Sequence, residues 1–362
     1  MVSQPTALAH PLLVPTSSEA TVINKWMTAL RQPTTGISPP APTIPSCFTL
    51  IAKAGSGINA DAYFRLPTSD IKIARSTHSS SSPRDMVSNL QVVKTCRTLF
   101  QVQLPSEVSV LKAFQIQLYS HSDHSTLPLF HLTAWDAGNA QPSWYACSTL
   151  SLCTDLKALE GRFHSMPEEF VWLVYTQLQA AITFMHKTCD PPLAHGDLHL
   201  GNIIVGYSAP DDTGLPQVKV IDFGMAQYEY NADEYGEDLM CEDMFQRDML
   251  FMLHALKNIL YNTHYAGARF VASPHQPATW GTEVRELGDT VRAGVRGGSV
   301  SEEEALRRMW ERFGEVAKGK VEGINDVARE KIRIVVWSVA GGKYDEIVEK
   351  VGELLGHESS NG

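Results

Sequence analysis

The stretch "LAHGDLHLGNIIVG", residues 193–206, carries an aspartate, Asp197, and an amide, Asn202, five positions apart between two apolar runs. A second aspartate, Asp222, follows in "QVKVIDFGMAQ". Asp, His and Asn are also ordinary loop residues, so their surroundings decide what they do. "NIIVG" and "VKVID" are β-type runs flanking the turn-rich insert "YSAPDDTGLP", a pattern that predicts a hairpin and brings Asn202 within reach of Asp222. An amide and a carboxylate there supply hard oxygen ligands suited to magnesium carrying nucleotide phosphates, and Asp197 is left to accept a proton.

These residues need elements to hold them. Just upstream, "SMPEEFVWLVYTQLQAAITFMHK" sets Phe170, Val174, Leu178, Ala181, Ile182 and Met185 on one helical face, which predicts a helix packed in a core. Ser165 and Glu168 have capping-box spacing at its start, with Pro167 in the first turn. Further upstream, five β-type runs ("CFTLIAKAG", "ADAYFRL", "LQVVKTC", "LFHLTAW" and "SWYACSTLSL") predict an antiparallel sheet. The Ser-rich "RSTHSSSSPRD" between the second and third runs reads as a mobile loop. Helices are expected again after residue 240, among them one with the apolar stripe Leu306, Met309, Trp310 and Phe313. Residues 1–46 hold one possible helix and a proline-rich tether, and read as an extension.

Composition narrows the partners. With 362 residues, 43% of them apolar, and a net charge of −10, the chain can bury a large core but is not a basic nucleic-acid-binding body. Six scattered cysteines without a CxxC pair predict neither a disulfide framework nor a zinc knuckle, and fit a reducing compartment: a cytoplasmic, or more broadly intracellular, location that includes the nucleus. His121 and His124 in "HSDHS" lack further ligands in sequence and read as a polar loop. The strongest late apolar run, "IRIVVWSVAG", is too short to span a bilayer.

"HGDLHLGN" followed by "DFG", preceded by a long amphipathic helix and five strands, resembles the protein kinase-like superfamily over residues 47–350. The resemblance implies an α+β, bilobal fold: an N-lobe at 47–147 with an antiparallel sheet and one helix, and a mainly helical C-lobe at 148–355. It implies ATP and Mg2+ as ligands, Asp197 orienting the attacking hydroxyl and taking its proton, Asn202 and Asp222 binding magnesium, and His195 bracing the loop. By the same analogy "KAGSGINADAY" is the phosphate loop, with Gly55 and Gly57 in place and Ala60 where a third glycine is usual; a tight turn is the alternative. The phosphate lysine has two candidates. Lys94 in "QVVKT" is preferred over Lys72 in "DIKIA", which reads as an exposed strand lysine, and Glu107 in "PSEVSVLKAF" is the implied partner of Lys94. Backbone groups from Ala146 to Thr149 would meet adenine, and Asp248 resembles a buried aspartate that supports the catalytic loop, the alternative being a helix N-terminal charge.

Gly196 stands where many regulated kinases carry an arginine, His199 where a lysine is common, and no Ala-Pro-Glu follows the DFG. In this the loop is similar to those of aminoglycoside and choline phosphotransferases and of the ubiquinone-biosynthesis atypical kinases. Three functions follow from the resemblance: a Ser/Thr-directed protein kinase first, a small-molecule phosphotransferase second, and an ATP-binding pseudokinase scaffold third. The acceptor is accordingly a hydroxyl of a protein or of a small molecule.

Overall fold

The computed structural model describes residues 45–56, 60–76, 82–96, 103–120, 128–137, 142–160, 162, 166–208, 214–228, 240–261, 264–266, 269–271, 280–295 and 302–356. The N-terminal extension, all but its last two residues, lies outside them, as do Gly57, His121, His124, Ser165 and the serines of 77–81.

The first half is β1 (Phe48–Ser56), β2 (Ala60–Pro67), α1 (Thr68–Ser76), α2 (Pro83–Val87), β3 (Gln91–Cys96), α3 (Gln103–Ser120), β4 (Leu132–Trp135) and β5 (Trp144–Ser148). The strands form one antiparallel sheet in the order β1-β2-β3-β5-β4. Directly opposed residues share a face and neighbours along a strand alternate. Ala62, Phe64, Val92, Lys94, Tyr145 and Cys147 therefore lie on one face, and Tyr63, Arg65, Val93 and Ala146 on the other.

Lys72 is not on a strand, as its sequence had led us to expect, but on α1. Asp70 in the first turn and Arg75 in the last complement the helix dipole. Ile71 is buried while Ile73 is 59% exposed, a split that strand alternation would not give. The downstream flank of the Ser-rich stretch is ordered too. Ser82 and Asp85 exchange hydrogen bonds of 2.9 and 3.2 Å in a capping box that starts α2.

The second half continues with β6 (Leu152–Asp155), α4 (Leu156–Leu159), α5 (Glu168–Thr183), β7 (Leu193–Ala194), β8 (Ile203–Tyr207), β9 (Gln217–Val220), β10 (Gln227–Tyr228), α6 (Met240–Tyr261), β11 (His264–Ala266), β12 (Arg269–Val271), α7 (Thr282–Val295), α8 (Glu302–Glu322) and α9 (Asp326–Leu355). This makes the protein an α+β fold. The expected hairpin is β8–β9, in register from Ile203↔Val220 to Gly206↔Gln217, with β6 on its other edge. Helix α5 is buried on most of its circumference, and Trp172 meets Phe313 of α8 at 6.3 Å. The capping-box partner expected for Glu168, Ser165, lies outside the described residues; the helix starts at Glu168 after Pro167, and the Glu168 carboxylate accepts from Gly281 N at 2.7 Å and Trp172 Nε1 at 3.1 Å and pairs with Lys320. The end of α9 reaches back to the first half, where Arg75 Nε donates to Leu354 O at 2.5 Å. One hydrophobic cluster runs from Ile51 to Val351 and joins sheet and helices. Among the described residues no helix is long and apolar enough to cross a membrane.

Candidate functional site

The loop between β7 and β8 is shaped from below by Asp248. This residue lies in the middle of α6, is wholly buried, and accepts from His195 N at 2.6 Å and Gly196 N at 2.8 Å. A carboxylate in an apolar setting needs such donors, and two successive amides satisfy it while fixing the loop's course. His186 Nε2, in the π-turn that ends α5, lies 3.2 Å from the same carboxylate. Gly196 has φ +74°, and a Cβ there would stand 2.3 Å from Met244 Cε and 2.7 Å from Met225 O, so both conformation and space require glycine.

His195, also wholly buried, ties the loop to the hairpin. Its Nδ1 accepts from Asp197 N at 3.2 Å, so the proton sits on Nε2, which donates to Ile221 O at 2.9 Å. Burial lowers its pKa and keeps the ring neutral, as this pattern requires. Asn202 Nδ2 donates to Asp197 O at 2.8 Å and lies 3.3 Å from Asp197 Oδ2. Ile221 N donates to Asn202 O at 2.9 Å, which sets Asn202 beside the Ile221–Asp222 step. Asp222 itself is left-handed, at φ 65° and ψ 71°, a conformation uncommon outside glycine and typical of functional positions. Its neighbour Phe223 is buried between His195, 4.8 Å away between ring centroids, and Phe114 of α3, at 5.4 Å.

The sheet supplies the cation. Lys94 Nζ donates to both oxygens of Glu107, at 3.0 and 2.8 Å, and to Asp222 Oδ1 at 2.7 Å, so β3, α3 and the loop after β9 meet at one ammonium. Burial alone would lower the Lys94 pKa, but Glu107 and then Asp222 hold it well above the ordinary lysine value. Burial likewise pushes Asp222 up, and Lys94 outweighs it, leaving that carboxylate below its usual range. Asp222 keeps 46% of its side chain exposed, so the cluster opens to solvent on its side. Lys72 is exposed on α1 and takes no part in this cluster.

Gly55, Ala62, Lys94 and Tyr145 occupy one row across four adjacent strands. Gly55 is exposed, and a Cβ on it would meet nothing within 4 Å, so internal packing does not demand glycine here. Ala146, expected among the backbone groups that would meet adenine, lies within β5 and not at its end. It is fully buried, lies on the sheet face opposite Lys94, and sits between Val93 and Ala134 with neighbours on both sides. The chain leaves the sheet at Thr149, half-buried, in the short connection to β6. Two members of the site had no assigned role in the sequence. Tyr145, whose hydroxyl donates to Glu107 Oε1 at 2.6 Å, becomes visible only when β5 is paired opposite Lys94; His186 lies 62 residues from Asp248 in sequence and no local pattern points to it.

Compared with known proteins, the chain matches no family model and no curated protein.

Proposed function

We propose that the protein is a magnesium-dependent phosphotransferase of protein kinase-like, bilobal architecture that passes the γ-phosphoryl group of ATP to a hydroxyl. The observation that carries this reading is the convergence at Lys94: a cation held by Glu107 on one side and bonded to Asp222 on the other, beside a loop that holds Asp197 and Asn202 through their backbones. Phosphoryl transfer asks chiefly for positioning and charge, and this cluster offers both.

The donor set fits a magnesium ion. The Asn202 amide spends its Nδ2 on Asp197, which leaves Oδ1 outside those bonds, and Asp222 commits only Oδ1 to Lys94. Among the described residues no group of three or more His, Cys, Asp or Glu could hold a metal, so phosphate and water oxygens would complete the shell, as is usual for magnesium. Magnesium bound there neutralises charge on the phosphates. Lys94 would hold the α- and β-phosphates, with Gly55 admitting them close to the β1 backbone. Asp197 would orient the acceptor hydroxyl and take its proton as the new P–O bond forms; the bond to the β-phosphate oxygen breaks and ADP leaves.

A serine or threonine of a protein is the first acceptor class. A small-molecule alcohol is the second, favoured by the loop's own chemistry. Gly196 has no room for the arginine that would read a phosphorylated loop, and His199 lies 3.7 Å from Asp197 Oδ2 where a lysine is common. Transfer of labelled γ-phosphate from Mg–ATP into an extract of the source cells, with Asp197→Asn as control, tests both. We expect Asp197-dependent label, with the variant about 100- to 10,000-fold slower. Label in macromolecules establishes the first class and label confined to small metabolites the second; equal rates for wild type and variant would defeat the proposal.

A further inference from the structure

The Lys94–Glu107 pair has a third member that no sequence pattern announces. Tyr145 stands opposite Lys94 on β5, is itself buried, and donates its phenolic hydrogen to Glu107 Oε1 at 2.6 Å. The same oxygen accepts from Lys94 at 3.0 Å, and Oε2 accepts from Lys94 at 2.8 Å. Glu107 is 2% exposed, so water does not compete for these bonds. A glutamate side chain has three rotatable bonds, and a lysine ammonium accepts almost any approach direction, so the ion pair alone fixes neither rotamer. A phenol does. Its ring is held in the packed sheet and its O–H reaches one oxygen from a second strand, which leaves the carboxylate a single orientation. Charge-assisted bonds of this length are the strong ones. The ring's centroid lies 5.9 Å from Lys94 Nζ, so the tyrosine also flanks the ammonium.

We propose that Tyr145 is a positioning residue that acts through Glu107: it locks the Lys94–Glu107 pair, and with it α3, into the assembled geometry before any ligand arrives. This rests on the phosphotransferase reading for its catalytic meaning, though not for its geometric content. Independent contacts brace the same helix. Phe114 of α3 packs on Phe223 at 5.4 Å, and Tyr228 Oη donates to Val110 O at 3.4 Å, so α3 is fastened at its start by Tyr145 and further along by the segment after β9. A site fastened in this way needs no activating event to bring the glutamate in. Burial raises the Tyr145 pKa well above the ordinary phenol value, so the donor proton is retained.

A double-mutant cycle on the full chain tests this, using Tyr145→Phe, which keeps the ring, and Glu107→Gln. The first readout is the rate at which a small amine reagent modifies Lys94, followed by mass spectrometry, and it does not depend on activity. Tyr145→Phe should speed Lys94 modification by about tenfold, as the loss of one charge-assisted bond implies, and Glu107→Gln by at least as much. The double variant should match Glu107→Gln alone, because Tyr145 reaches Lys94 only through the charge of the glutamate, which that substitution removes. The second readout is steady-state kinetics, where Tyr145→Phe should lower kcat by about tenfold with a smaller change in the KM for ATP. Unchanged Lys94 reactivity in Tyr145→Phe, or effects that simply add in the double variant, would overturn the inference. Absence of any Asp197-dependent transfer would instead defeat the phosphotransferase reading, while the labelling cycle would still decide the role of Tyr145.

Discussion

Lys94 and Arg65 stand on neighbouring strands of one sheet and point to opposite faces. Each takes a cation out of water: Lys94 keeps 17% of its side chain exposed and Arg65 none. On its face Lys94 meets three carboxylate oxygens, from Glu107 and Asp222. Among the described residues Arg65 has no hydrogen-bond partner for its three guanidinium nitrogens; the Tyr63 ring lies 5.4 Å away, and burial lowers its pKa. A buried charge with matched partners and one open side is arranged to meet a ligand, whereas one without partners is an electrostatic cost that the surrounding packing must offset. Burial of a cation therefore says little; what surrounds it separates a site from a liability.

The largest effect should come from breaking the paired side. Lys94→Met should lower kcat/KM by about 100- to 1000-fold, the usual loss when a charge that stabilises the transition state is removed. The same variant carries a pH signature. With the ammonium gone, burial and the charge of Asp222 both raise the Glu107 pKa, and the Tyr145 hydrogen bond is left to oppose them. A carboxyl whose folded pKa exceeds its unfolded value of 4.5 binds more protons in the folded state. Its contribution is complete below the unfolded value and is lost as pH rises through the folded one. The stability gap between wild type and Lys94→Met, followed by urea unfolding, should thus widen as pH rises above the ordinary carboxylate range. A gap that stays constant would mean that Glu107 is not the group left exposed to the change.

Breaking the unpaired side should act in the opposite direction. Arg65→Met keeps an apolar stem comparable to the aliphatic part of the arginine and removes the unmatched charge, so it should raise unfolding stability by about 1–3 kcal/mol without altering turnover. A large loss of stability would show that the Tyr63 ring and the surrounding packing supply far more to the guanidinium than their geometry indicates.

The contrast also marks what could be read from the chain alone. Asp197, Asn202 and Asp222 were legible because their spacing falls within one loop and one hairpin, where chain connectivity fixes proximity. Lys94 was legible from the apolar pattern of its strand. Lys72 was not placed correctly, because Ile71 and Ile73 alternate as they would in a strand; only the burial of one and exposure of the other, set by packing from elsewhere in the chain, shows a helix. The end of β5, at Ser148 and not near Ala146, could not be read locally because it depends on its partners β3 and β4, not on its own residues. Tyr145 and Arg65 look alike in sequence, as polar residues in apolar strands, and their different fates follow from which face each takes and what packs there. Nothing local to Glu168 announces that its carboxylate is engaged by Gly281 and Lys320, each more than 100 residues away.

Lys72 completes the comparison as the basic residue that is neither paired in the cluster nor buried. It shares its "IKIA" context with a strand lysine, and a reading of local pattern alone could exchange it for Lys94. Its position on α1, in the segment inserted between β2 and β3, leaves it exposed, with no part in the contacts around Glu107 or Asp222. Lys72→Ala should therefore leave turnover within about twofold of wild type and stability within about 0.5 kcal/mol, the range for exposed substitutions away from special contacts. Measured beside Lys94→Met in one assay, it separates charge from position. Equal losses in the two variants would mean that the basic charge of this half of the protein, not the geometry at Lys94, supports turnover, and the distinction between the paired cation and the rest would fall.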